Sequence, residues 1–155
     1  MRPAGVEELA EGDPREVALA NARRKAAAVG GDGPVLAVDT LVALDGRIYG
    51  QPAGEAEARA TLRALSGRTH TVVSGLWFDG EEGVEETAVT FRSLDDALIE
   101  WYLATGEWRG RAGAYAIQER GGALVRRIDG DYLNVVGLPL GRLLDVGSFA
   151  ALFPS

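Results

Sequence analysis

The sequence predicts an α/β domain in which helices flank a mixed β-sheet. Short apolar or β-branched runs alternate with helical patterns along the chain, and turn residues separate them. No internal repeat, low-complexity tract or linker interrupts the series. At 155 residues the chain suits one domain, or two small lobes sharing one core.

The elements follow in order. Asp13-Pro14-Arg15-Glu16 opens a helix: Asp13 can cap, Pro14 suits the first helical position, and Glu16 completes a capping box. That helix is expected to reach about Val29 and stop at Gly30-Gly31, with Leu19, Ala22, Ala26 and Val29 as its apolar stripe. Val35-Leu36-Ala37-Val38 reads as a buried strand that ends at Asp39-Thr40. Leu41 to Leu44 then leads into Asp45-Gly46, a hairpin signal, with Arg47 to Tyr49 returning. Gly50-Gln51-Pro52 is a loop. Glu55 to Leu65 reads as a helix with Ala58, Leu62 and Leu65 inward, closed by Ser66-Gly67.

Thr69 to Phe78 is β-branched and reads as a strand. Asp79-Gly80 starts a polar loop before a further strand, Val84 to Phe91. Asp95 to Ala104 is helical, with Leu98, Ile99 and Tyr102 near one face. Trp108 to Ile117 is a glycine-rich loop, and Leu124 to Ile128 is a strand. From Gly130 a polar start runs into an apolar, strand-like stretch. Pro139 begins a last helix through Leu144.

Composition removes several chemistries. Without cysteine there is no disulfide scaffold, zinc–thiolate site or thiol nucleophile, and one histidine rules out a multi-histidine metal site. The net charge of −7 disfavours binding to a nucleic acid backbone. A small phosphate-bearing substrate needs a local cationic pocket or a divalent metal held by carboxylates. No apolar run approaches a membrane span, and the first residues lack the apolar core of a secretory signal, so a cytoplasmic protein is expected.

Generic phosphate-binding motifs are absent: there is neither a GxxxxGK[ST] loop nor a GxGxxG between a strand and a helix. Asp39 is the most informative residue. It directly follows an apolar strand, and the carboxyl edge of such strands is where α/β sheets bind ligands. A carboxylate there can hold a divalent metal or orient a water. A turn-forming aspartate bonding its own backbone explains the position equally well.

The tract Arg111-Ala112-Gly113-Ala114-Tyr115-Ala116-Ile117-Gln118 has small residues that admit a ligand close to the backbone. Gln118 offers a donor and an acceptor to a base edge. Without other information, a glycine-rich loop with an exposed glutamine is the simpler account. Asp131 and Asn134 are candidate site groups, but turn and core chemistry is the simpler account of both. His70, in an alternating strand, reads as a structural hydrogen-bonding group. Trp77, Trp101 and Trp108 are spread over different elements and read as core or interface.

Taken together, AVDTLVALDGRIYGQP (37–52), LSGRTHTVVSGLWF (65–78), Tyr102 with GEWRGRAGAYAIQ (106–118), and IDGDYLNVVGLPL (128–140) resemble the Maf proteins, the septum-formation inhibitor homologues. The upstream Lys25-Ala26 and Val6-Glu7-Glu8 also fit. The resemblance implies a Maf/ITPase-like fold of two lobes around a cleft, usually as a homodimer. It implies hydrolysis of a nucleoside triphosphate to the monophosphate and pyrophosphate with a divalent metal such as magnesium.

By the same resemblance, Asp39 matches the family's proton-accepting aspartate. Lys25 and Glu8 match an active-site lysine and glutamate, and Asp39 and Glu8 are the expected metal ligands. Thr40 and Gln118 match positions linked to base selection and resemble the subgroup that takes dTTP and UTP rather than 7-methyl-GTP. Gln51 stands in the family's usual Gly-Lys-Pro, where it can hydrogen-bond a phosphate without adding charge. The family's Ser-x-Ser-Pro-Arg-Arg segment has no counterpart, so residues 1–155 are expected to form a single, N-terminally shortened Maf-like domain. The alternative is a catalytically weak or inactive nucleotide-binding or regulatory homologue.

Overall fold

Asp13 starts the first helix as its sequence dictates: its Oδ2 accepts from the Glu16 amide at 3.1 Å, and Pro14 opens α1 (Pro14–Ala28). The computed structural model describes residues 10–152. The strands are β1 (Leu36–Leu44), β2 (Arg47–Tyr49), β3 (Thr69–Phe78), β4 (Glu81–Phe91) and β5 (Val125–Asp129). The longer helices after α1 are α2 (Glu55–Leu65) and α3 (Asp96–Ala104). Three short helices follow β5: α4 (Tyr132–Val136), α5 (Leu140–Leu144) and α6 (Gly147–Ala150).

The strands form one sheet in the order β2-β1-β3-β4-β5. The α/β class with flanking helices holds. The sheet expected to be mixed has four antiparallel ladders among the described residues. Tight hairpins join β1 to β2 and β3 to β4, and such turns pair strands only antiparallel.

Other expectations are corrected. β1 does not end at Asp39-Thr40 but runs on to Leu44, because Asp39 pairs with Gly75 in the β3 ladder and its carboxylate finds side-chain partners. β4 begins at Glu81 rather than Val84, since Asp79 and Gly80, both at positive φ, form a tight turn instead of a polar loop. The strand-like stretch after Gly130 is instead α4: the Asp131 carboxylate caps it, and Gly137 ends it in the left-handed region. The buried face of α1 is Val17, Ala18, Asn21, Ala22 and Ala26, while Leu19 is half-buried and Val29 is 39% exposed.

Side chains alternate across the sheet, which therefore has two covered faces. On one, α1 lays Val17 and Ala18 on Leu41 and Val73. On the other, Val42 and Val72 join the main core with Leu62, Leu65, Ile99, Tyr102, Tyr115 and Leu124. β2 pairs only with Val42–Leu44. Beyond that point the outer edge of β1, from Leu36 to Leu41, has no strand partner among the described residues, and a cavity opens there.

Candidate active site

Asp39 is 4% exposed, in mid-strand on the face that α1 covers. Burying a carboxylate is costly unless it is paired and hydrogen-bonded. Here the Lys25 Nζ donates to Oδ1 at 2.8 Å, and the Asn21 Nδ2 donates to Oδ2 at 3.1 Å. Asn21 and Lys25 are four residues apart on α1 and so share one face.

The reach of both donors depends on how closely α1 lies on the sheet. Gly75, opposite Asp39 in the ladder, permits that approach: a Cβ there would stand 2.5 Å from the Ala18 carbonyl carbon. On the opposite face, Thr40 Oγ1 and Ser74 Oγ form a cross-strand hydroxyl pair at 2.8 Å.

The cavity beside β1 has a volume of about 510 Å³. Asn21, Lys25, Asp39, Thr40, Gln51 and Gln118 all line it, as does Arg111. The cleft expected from the sequence is therefore present. Of the expected site residues, Asp39, Lys25, Thr40, Gln51 and Gln118 converge on it, and Glu8 lies outside the described residues.

The wall bearing Arg111 and Gln118 is held by backbone geometry. Gly113 (φ 68°) and Ala114 (φ 65°) occupy the left-handed region in succession, at a cost near 1 kcal/mol for the alanine. The Gly113 amide donates to the Gly50 carbonyl at 3.2 Å, tying this wall to the Gln51 loop. A Cβ on Gly113 would meet Val42 Cγ2 at 2.6 Å, so glycine lets the tract press onto β1.

Behind the wall, the Ala116 amide donates to the Tyr102 hydroxyl oxygen at 2.9 Å, and His70 Nε2 shares a hydrogen bond of 2.7 Å with the Tyr115 hydroxyl. Burial lowers the His70 pKa from its usual value to about 4 and raises both tyrosine phenols above theirs, so all three are neutral near pH 7. His70 thus has the structural role its strand position suggested.

The family model described as Maf-like protein matches residues 1–147. The chain belongs to the Maf family. A dTTP/UTP pyrophosphatase of Pyrococcus furiosus is 47% identical over 149 residues, covering 90% of this chain and 78% of that protein. A dTTP/UTP pyrophosphatase of Moorella thermoacetica is 53% identical over 133 residues, covering 81% and 69%. One of the same name from Thermosipho africanus is 41% identical over 149 residues, covering 93% and 78%.

The Maf cavity also contains residues that sequence reasoning did not select. Asn21 was legible as a polar residue one helical turn before Lys25, beside the apolar Val17, Ala18 and Ala22. Arg111 stood at the head of a tract singled out only for Gln118 and its small residues. Being the cation of that tract was its only signal.

Proposed function

We propose that this Maf protein hydrolyses dTTP- and UTP-type nucleoside triphosphates to the monophosphate and pyrophosphate. The observation that carries the reading is the buried Asp39 carboxylate, held by Lys25 and Asn21 in a cavity that Gln118 also lines. Relatives named dTTP/UTP pyrophosphatase support the substrate class.

In this reading Asp39 orients a water toward the α-phosphorus and takes its proton. The bond from the α-phosphorus to the bridging oxygen breaks, and pyrophosphate leaves. The Lys25 ammonium lies beside Asp39, where charge builds on the phosphate oxygens. Gln51 hydrogen-bonds a phosphate oxygen, and Thr40 and Gln118 select the base.

The buried carboxylate is a hard oxygen donor suited to magnesium, which commonly takes one or two carboxylates together with substrate phosphates. Asp39, with Glu8 outside the described residues, would hold it, and it would supply positive charge to the triphosphate.

A homodimer and a cytoplasmic setting belong to the same reading. Leu133, Leu138, Leu140 and Leu144 are exposed on or beside the C-terminal helices and supply apolar surface for a second copy.

The test is product analysis with magnesium and dTTP, UTP, CTP or 7-methyl-GTP. Equal amounts of monophosphate and pyrophosphate from dTTP or UTP are expected. Release of inorganic phosphate instead would contradict the reaction. The alternative, a nucleotide-binding homologue with little turnover, draws on the uncharged Gln51 and would give nucleotide affinity without pyrophosphate.

A further inference from the structure

We propose that Arg111 binds the β- and γ-phosphates of the substrate and the pyrophosphate that leaves; this rests on the pyrophosphatase reading. Among the described residues, two cationic side chains, Lys25 and Arg111, line the cavity. Lys25 is engaged with Asp39 at 2.8 Å, which ties its charge to the attacking end of the site. Arg111 is half-buried and forms no ion pair with a carboxylate among the described residues.

A triphosphate entering a protein of net charge −7 needs positive charge beside its phosphates, from side chains as well as from a divalent metal. With Lys25 at the α-phosphate, the described lining residues that can meet the outer phosphates are Arg111 and the neutral Gln51. The bond from the Gly113 amide to the Gly50 carbonyl draws the loops bearing these two residues together. The positive φ angles of Gly113 and Ala114 fix the backbone that follows Arg111. A guanidinium presents a rigid fork of donors to phosphate oxygens, and a glutamine offers only a neutral contact.

The test is calorimetric titration of the chain with inorganic pyrophosphate in magnesium, which needs no turnover and so is independent of whether the chain hydrolyses anything. Arg111→Gln is expected to weaken pyrophosphate binding about 10- to 100-fold, while Arg111→Lys recovers part of the loss. Arg109→Gln removes the same charge from an exposed side chain stacked on Trp108 that does not line the cavity, and it should change affinity less than about twofold. Thermal unfolding of Arg111→Gln should match the parent, since no ion pair among the described residues is lost. Parent-like pyrophosphate affinity in Arg111→Gln would overturn the proposal. So would an equal loss in Arg109→Gln, or a parent chain that does not bind pyrophosphate.

Discussion

Gly75→Ala should lift α1 from the sheet and loosen the grip on Asp39. The new Cβ would lie 2.5 Å from the Ala18 carbonyl carbon, and 2.6 Å from both the Ala18 oxygen and the Leu19 nitrogen. Carbon contacts are comfortable from about 3.5 Å, so the helix must withdraw by roughly 1 Å. These are backbone atoms of a helix, and no rotamer change relieves them. Overpacking of this kind costs roughly 1–3 kcal/mol, which for a domain of this size lowers Tm by about 2–12 °C.

The same withdrawal stretches the contacts of 2.8 Å and 3.1 Å that Lys25 and Asn21 make with Asp39. A misplacement of about 1 Å at reacting groups costs on the order of 100-fold in rate. The assay is thermal unfolding beside pyrophosphate release, with Gly33→Ala, whose Cβ would meet nothing within 4 Å, as the control. A Gly75→Ala variant that unfolds at the parent temperature and keeps full turnover would refute the reasoning.

Further predictions concern pH, packing and base choice. His70 takes up a proton only near pH 4 when folded, against 6.5 ordinarily, so its contribution is full above pH 6.5 and is lost as pH falls toward 4. That loss approaches about 3 kcal/mol and should appear as a falling urea midpoint. His70→Gln should flatten the slope, and an unchanged slope would contradict the assignment. Asn134→Ala removes donations to Val72 O, Glu85 O and Thr87 Oγ1 that pin α4 to the sheet, and urea unfolding should register a loss of about 2–3 kcal/mol. Gln118→Leu should raise KM for dTTP and UTP about tenfold with a smaller change in kcat; unaltered KM would remove Gln118 from base recognition.

Most of the framework was legible because local chemistry and tertiary structure agree. The Asp13 cap, the Asp45-Gly46 hairpin and the inward face of α2 all stand where turn and periodicity rules put them. Asp39 was legible as a candidate site residue, and it lines the cavity, but its mid-strand place was not legible. What lets a charge sit inside β1 is Asn21 and Lys25, which precede it by 18 and 14 residues. The segment after Gly130 was misread because apolar character alone does not distinguish a strand from a short helix. The deciding features were the Asp131 cap and the left-handed Gly137. Arg111 was missed because its placement depends on Gly113 meeting Gly50, more than 60 residues away.

The central claim is that Asp39 is the proton acceptor of a Maf pyrophosphatase. Pyrophosphate release from dTTP and UTP, with magnesium, by the parent chain and by Asp39→Asn tests it most directly. The substitution keeps the shape of the side chain and removes its basicity. The expected result is turnover by the parent and a loss of about 100-fold or more in the variant, assayed at a temperature where the variant is folded, since removing the carboxylate also leaves the Lys25 ammonium unpaired. Equal rates in the two proteins, or no pyrophosphate from the parent with any triphosphate, would contradict it.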